Sequence, residues 1–309
     1  MSKKMFRFER TQKIVEAGGI KLGGQPGECP TVLTASIFYI GQKIVTDKKL
    51  GTFDKAKAEA LINRLDVLSD MTTNPFIVDV VGTSVESFQR YIEFVAKVTD
   101  APIQIDAISP KLRMEAIKWA AEVGLSPRLI NNSIYKGVKD KELENLKECG
   151  VKASIVLCDN PTDDTVEGKL SALEAALPLA EQAGIEGMLI DTSMSAWGIG
   201  VGAGLQAIKV IKEKYGDIGA VGTGIGNVSD TLGWVKGNFS KEVKKATDAA
   251  QNAILPMIGA DWIMFGPIEF AEYVFPAVAV IDTYILTATA DLGTRPHEEG
   301  KHPLFKLVG

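Results

Sequence analysis

Residues 218–232 read IGAVGTGIGNVSDTL. Ile218, Ala220 and Val221 make a short apolar run of the kind that forms a buried strand, and it ends in a glycine-rich turn with Asn227, Ser229 and Asp230 at its mouth. Gly222, Gly224 and Gly226 remove side chains where the chain emerges, so a flat ligand could approach the backbone while Asn227 offers it an amide. A strand that stops at a polar turn ahead of a helix is one β/α unit.

The same pattern repeats on both sides of it. Strand signals fall at 30–40, 75–82, 102–109, 127–134, 151–160, 187–194 and 261–270. Between them lie helical stretches with recognisable ends. Asp54 suits an N-cap for a helix reaching about Ser69, Ser84 or Glu86 opens one that runs to Lys97, and Pro110 stands where its missing N–H costs nothing. Further helices run from Asp140 to a stop at Gly150, from after Asp164 to Gly184, and from the glycine-rich turn at 198–204 to about Tyr215. After a loop at 233–240 comes another, and the apolar stretch 271–290 is the last. About eight such units predict a TIM (β/α)8 barrel rather than an open doubly wound sheet. The expected organisation is one domain over 1–309, in which 1–30 forms a hairpin cap around Gly18-Gly19 and 294–309 a polar tail.

Bulk properties narrow the function. With 309 residues, 46% hydrophobic and 24% charged, the chain has ample material for a core, and a net charge of -5 gives no basic footprint for nucleic acid. The three cysteines, Cys29, Cys149 and Cys158, form no CxxC, so neither a disulfide framework nor a thiolate metal site is signalled, and a reducing, cytoplasmic setting is expected. The opening MSKKMFRFERTQ lacks the apolar core of a signal peptide. Glu272, Pro276 and Asp282 interrupt the apolar stretch 271–290, which therefore reads as a buried or interface helix rather than a membrane insertion; its greasiness suggests a homodimer. Both histidines, His297 and His302, lie in the tail, which leaves no histidine for a triad, a pocket base or a metal.

Active sites of such barrels form at the strand C-termini. The polar residues there are Asp79, Asp106, Asn131, Asn132, Ser133, Asp159, Asn160, Asp191, Ser193, Asn227, Ser229 and Asp230. They are carboxylates, amides and hydroxyls with hardly any cations, a set that matches the mixed donor and acceptor edge of a pterin ring. A sugar-phosphate enzyme is the rival, since glycine turns after the seventh and eighth strands (Gly222, Gly224, Gly226 and Gly266) are where barrels hold phosphate through backbone N–H groups.

At GNVSD (226–230), with IQIDA (103–107), LINNS (129–133) and LIDTS (189–193), the chain resembles the pterin-binding methyltransferases, barrels that move a methyl group between a tetrahydropterin and a corrinoid protein. FRFERTQKIVEAGGIKLGGQPGECPTVLTASIFY (6–39) and NPFIVDVVG (74–82) resemble in particular the MtrH family, the H subunit of tetrahydromethanopterin S-methyltransferase, and its soluble members that methylate tetrahydrofolate. The likeness implies that Asp106 and Asp191 hold the pterin's polar edge, that Asn131 or its neighbour Asn132 adds a hydrogen bond, and that Asn227 lies beside N5 as the catalytic residue. Ser229, Gly222 and Asp79 complete the expected pterin site, although Asp79 does not align cleanly. It also implies cobalamin carried by a separate partner, no metal bound by this chain, and formation of 5-methyltetrahydrofolate. The alternative is a pterin-binding H subunit within a larger methyl-tetrahydromethanopterin:corrinoid methyltransferase complex.

Overall fold

The computed structural model describes residues 6–107, 109–194 and 200–308. Strands β1 (Ile14–Ala17) and β2 (Ile20–Gly23) pair as an antiparallel hairpin. Then β3 (Val32–Ile37) opens the barrel; a small ribbon of β4 (Val45–Asp47) and β5 (Thr52–Phe53) follows, leading to helix α1 (Lys55–Thr72). Alternation continues with β6 (Phe76–Gly82), α2 (Val85–Val98), β7 (Ile103–Ala107), α3 (Pro110–Glu122), β8 (Leu129–Ile134) and α4 (Asp140–Glu148). Next come β9 (Ala153–Leu157), α5 (Val166–Gln182), β10 (Gly187–Asp191), α6 (Val201–Tyr215) and β11 (Ala220–Gly224). The chain goes on through α7 (Gly226–Thr231), α8 (Gly233–Asn238), α9 (Lys241–Met257), β12 (Trp262–Pro267), α10 (Ala271–Ala290) and α11 (Pro303–Leu307). Strands β3 and β6 to β12 are parallel, lie in chain order and close into the expected eight-stranded barrel.

Local chemistry explains where the helices begin. Asp54, Ser84, Ser109, Thr165 and Ser240 each accept a hydrogen bond from a backbone N–H of the first turn they precede. Along the strands, one set of side chains packs outward against the helices and the other fills the barrel. The lower interior is filled by Val32, Ile77, Ile130, Ile155, Leu189 and Trp262, and the hairpin inserts Val15, Ala17 and Leu22 among them. Burying one such aliphatic side chain contributes about 1.5–3 kcal/mol. The hairpin turn fits because it is glycine: a Cβ on Gly18 would stand 2.6 Å from Pro102, and Gly18 has a φ of +62°. The barrel floor is thereby plugged.

Three expectations change. The loop at 233–240 is mostly helical: the glycines hide any period longer than a turn, yet buried Val228 and Val235 anchor α7 and α8. The polar tail contains α11, whose first turn is capped by the buried His302 side chain. Residues 195–199, which include the start of the glycine-rich turn at 198–204, lie outside the described residues.

By length and composition, 268–290 could cross a membrane, and half of that window is buried in the fold. Helix α10 turns Val274, Phe275, Val278, Ala279, Ile285 and Leu286 inward and leaves Val280 and Tyr284 outward. Midway along it, buried Asp282 accepts hydrogen bonds from Thr31 N (2.9 Å), Thr31 Oγ1 (2.7 Å) and Asn74 Nδ2 (2.7 Å). The apolar face that suggested a homodimer is thus covered by the chain's own core, and a homodimer finds no support.

Candidate functional site

Register decides which strand-end groups meet. Asp79 on β6 pairs with Gln104 on β7, and Asp106, two residues further toward the opening, pairs with Asn132 on β8; in-register neighbours on parallel strands share a face. Asp79 is buried at 1% exposure and has both oxygens engaged: Ser36 Oγ donates at 2.6 Å and Gln104 Nε2 at 2.8 Å. Above it Asp106 and Asn132 are half-buried, and neither side chain has a hydrogen-bond partner among the described residues. Across the barrel, buried Asp191 ends β10, and its Oδ1 accepts from Ser193 N (2.8 Å) and Thr223 Oγ1 (3.2 Å).

Burial is the dominant electrostatic force here. It pushes the Asp79 carboxyl above its ordinary range, and the neighbouring Asp106 charge pushes it further, while Ser36 and Gln104 pull the other way. Burial also raises Asp106, opposed by the Arg113 guanidinium. The two carboxyls therefore titrate as a pair that retains a proton more readily than free aspartates do. Asp191 is raised by burial and held down by the Ser193 N–H, the Thr223 hydroxyl, the Gly224 N–H and Lys169.

Other expected site residues are placed differently. Asn131 pairs in register with the outward-packed Ile105, and its amide donates to Ser154 Oγ at 2.9 Å. It faces the α3/α4 layer beside Arg113 and Glu142, so Asn132 is the member of the doublet that looks into the barrel. Ser229 is buried beneath α7 toward Asp248 of α9 rather than at the mouth. Asn227 stands exposed in the first turn of α7, its amide unpartnered among the described residues, just beyond the end of β11.

The glycines serve the chain itself. A Cβ on Gly222 would lie 2.1 Å from Trp262 O and 2.7 Å from its indole ring, and one on Gly226 would lie 2.8 Å from Gly266 Cα. Trp262 therefore occupies the surface that Gly222 was expected to offer a ligand, and the two glycine turns are packed on each other. Of the remaining strand-end groups, Asp159 accepts from Ser193 Oγ, Asn160 closes a loop turn with Thr162, and Asp230 pairs with Lys236 at 2.6 Å.

Several contributors were not singled out from sequence. Ser36 and Gln104 hold Asp79, and their alternation with apolar residues on β3 and β7 would have flagged them. Lys169 in the first turn of α5 and the buried Arg113–Glu142 pair (2.5 Å) bring cations behind a mouth expected to lack them; nothing in local sequence marks these as buried. At the rim, Tyr39 Oη and Gln42 Nε2 donate to Glu269 at 3.1 and 2.9 Å, tying the loop after β3 to the one after β12. Among the described residues no three of His, Cys, Asp and Glu gather to hold a metal ion. A cleft of about 530 Å3 lies at the other end of the barrel, between Gly18-Gly19 and the ends of α1 and α2, and contains none of these residues.

Solved dihydropteroate synthases share the fold. The Thermus thermophilus enzyme superposes with a TM-score of 0.58 at 16% identity over 87% of this chain and 98% of that one. The Xanthomonas albilineans enzyme gives 0.56 at 18% over 87% and 97%. Sequence relatives are much nearer. The H subunit of tetrahydromethanopterin S-methyltransferase from Methanothermobacter thermautotrophicus is 42% identical over 315 residues, covering 98% of this chain and all (100%) of the relative. That of Methanocaldococcus jannaschii is 41% identical over 324 residues, with coverage of 98% and 100%. A family profile described as "Tetrahydromethanopterin S-methyltransferase MtrH subunit" matches residues 10–297, and by these measures the chain belongs to the MtrH family of pterin-binding methyltransferases.

Proposed function

We propose that this chain binds a tetrahydropterin across the open end of its barrel and takes part in moving a methyl group between N5 of that pterin and a corrinoid carried by a partner protein. The observation that carries the reading is the pair formed by Asp106 and Asn132: adjacent, inward-facing, half-buried and unpartnered among the described residues, they offer a carboxylate acceptor beside an amide. Buried Asp191 faces them from β10 and accepts N–H donors in the same way. A pterin edge with amino and ring N–H donors beside a carbonyl would satisfy all three.

Of the two forms weighed from sequence, the relatives' name favours the MtrH form, with tetrahydromethanopterin as substrate; the tetrahydrofolate form draws no support from the comparisons. A sugar-phosphate enzyme is disfavoured because Gly222 and Gly226 are covered by Trp262 and Gly266.

The residues suggest a division of labour. Asp106, Asn132 and Asp191 orient the ring, and alignment of N5 with the methyl acceptor or donor supplies most of the acceleration. The partner's corrinoid would supply the cobalt between which and N5 the methyl passes. When the methyl leaves N5, that nitrogen must gain a proton; when the methyl arrives, the resulting cationic N5 must lose one. Asn227, exposed above the ring position, can accept a hydrogen bond from protonated N5 through its amide oxygen and so stabilise the charge. Asp79, with its raised proton affinity, keeps negative charge from accumulating beneath Asp106.

Calorimetric titration of the purified chain with tetrahydromethanopterin and tetrahydrofolate tests the reading. Binding of tetrahydromethanopterin, weakened in Asp106→Asn and Asn132→Ala, is expected. No binding of either pterin, or equal affinity in wild type and both variants, would refute it.

A further inference from the structure

Three cationic side chains are buried among the described residues: Arg113, Lys169 and Lys212. Arg113 meets buried Glu142 at 2.5 Å, and Lys212 meets Asp261 at 2.6 Å. Lys169 has no such buried partner. Its nearest carboxylate, Asp164, stands at 3.4 Å and is half-exposed, and its best contact is neutral, the Ser193 carbonyl at 2.8 Å. It also lies in the first turn of α5, where the helix dipole opposes a cation. A buried ammonium whose one paired carboxylate is half in solvent, at the wrong end of a helix, is costly, and a further carboxylate in its field lowers that cost.

The fully buried carboxylate within reach of its field is Asp191. The two are joined by a short path: Asp191 Oδ1 accepts from Ser193 N at 2.8 Å, and Ser193 O accepts from Lys169 at 2.8 Å. Ser193 has a φ of 56°, a left-handed backbone that a serine adopts only when its surroundings hold it there. Its hydroxyl is held in turn by Asp159 at 3.1 Å. Around Asp191 the titratable groups are Lys169 on α5 and Cys158 after β9, with Asp159 reached through Ser193; β11 contributes only the neutral Thr223 and the Gly224 N–H.

We propose that Lys169 is a positioning residue for the pterin site: it pins the left-handed turn at Ser193 through the carbonyl and lends Asp191 the positive charge that lets a fully buried carboxylate bind as an anion. This rests on the pterin reading only for what Asp191 binds; the effect on Asp191 itself exists in the free protein.

The test uses the full chain labelled with 13Cγ aspartate, the Asp191 resonance being assigned by its loss in Asp191→Asn. Lys169→Gln keeps a donor for Ser193 O and removes the charge, Lys169→Met removes both, and Lys169→Arg keeps both. The Asp191 titration midpoint is expected to rise, by up to about 1 pH unit, in the Gln and Met variants and to stay near wild type in the Arg variant. An unchanged midpoint in Lys169→Gln overturns the proposal, and because Gln fits the same bonding this outcome is readable even where Lys169→Met does not fold. In parallel, tetrahydromethanopterin affinity at pH values below the Asp191 midpoint should fall in the Gln variant, by up to about tenfold for a one-unit shift, and recover at more alkaline pH. If wild type binds no pterin while the midpoint shifts as expected, the function assigned above fails and the role of Lys169 stands.

Discussion

At the closed end of the barrel Lys212 meets Asp261, and Asp282 receives three hydrogen bonds from Thr31 and Asn74. At the open end Asp106, Asn132 and Asn227 present polar groups without partners among the described residues. The same residue types thus do two kinds of work. Where donors and acceptors are matched inside the chain, polarity fixes how elements meet; where they are left over, it is available to something else. The apolar layer from Val32 to Trp262 separates the two.

This contrast can be broken most forcefully from below. Lys212→Met strands Asp261 in the interior and should cost about 3–5 kcal/mol in urea unfolding while leaving pterin affinity of the folded fraction unchanged. A wild-type midpoint would mean that the lower pair is not structural.

Asp282 sharpens the point through pH. Burial pushes its carboxyl up to about 6, so the folded state binds this proton more tightly than the unfolded chain does. The associated stability is fully present below the unfolded pKa and disappears as pH rises through about 6. Compared with Asp282→Asn, wild type should therefore lose on the order of 3 kcal/mol between acid and neutral pH. Parallel pH–stability curves for the two proteins would contradict it.

Effects at the open end should move affinity instead. Asp106→Asn removes one charge-assisted acceptor, worth about 1.5–3 kcal/mol or roughly 10–100-fold in pterin affinity, and relieves its repulsion with Asp79, so stability should not fall. Asn227→Ala removes a neutral hydrogen bond, and single-turnover methyl transfer with a corrinoid partner should slow by only about 2–10-fold, the equivalent of 0.5–1.5 kcal/mol. Smallest in its effect on the site, Asn131→Ala should leave pterin affinity as it was while costing about 1 kcal/mol of stability through the lost Ser154 contact. A large affinity loss there would mean that the doublet's roles are reversed.

The barrel was legible because alternation and helix caps are local signals: Asp54, Ser84 and Pro110 each mark a helix start within a few residues of the strand before it. Facing was not. The choice between Asn131 and Asn132 depends on a one-residue register that only pairing with β7 settles, and Ser229 looks away because α7 winds where a turn was expected. Gly222 shows the subtler limit, since a missing side chain looks the same in sequence whether a ligand or Trp262 fills the space. Lys169 was invisible for a third reason: its relation to Asp191 spans two β/α units and runs through one carbonyl.

The hairpin plug has a kinetic corollary. With Val15 and Leu22 stoppering the lower end, a ring held as proposed by Asp106 and Asp191 would have one doorway among the described residues, and a bulky macrocycle delivered by another protein would have to use it too. The small molecule would have to enter before its large counterpart arrives and wait for it to depart, so turnover should follow a compulsory sequence in which excess partner traps product.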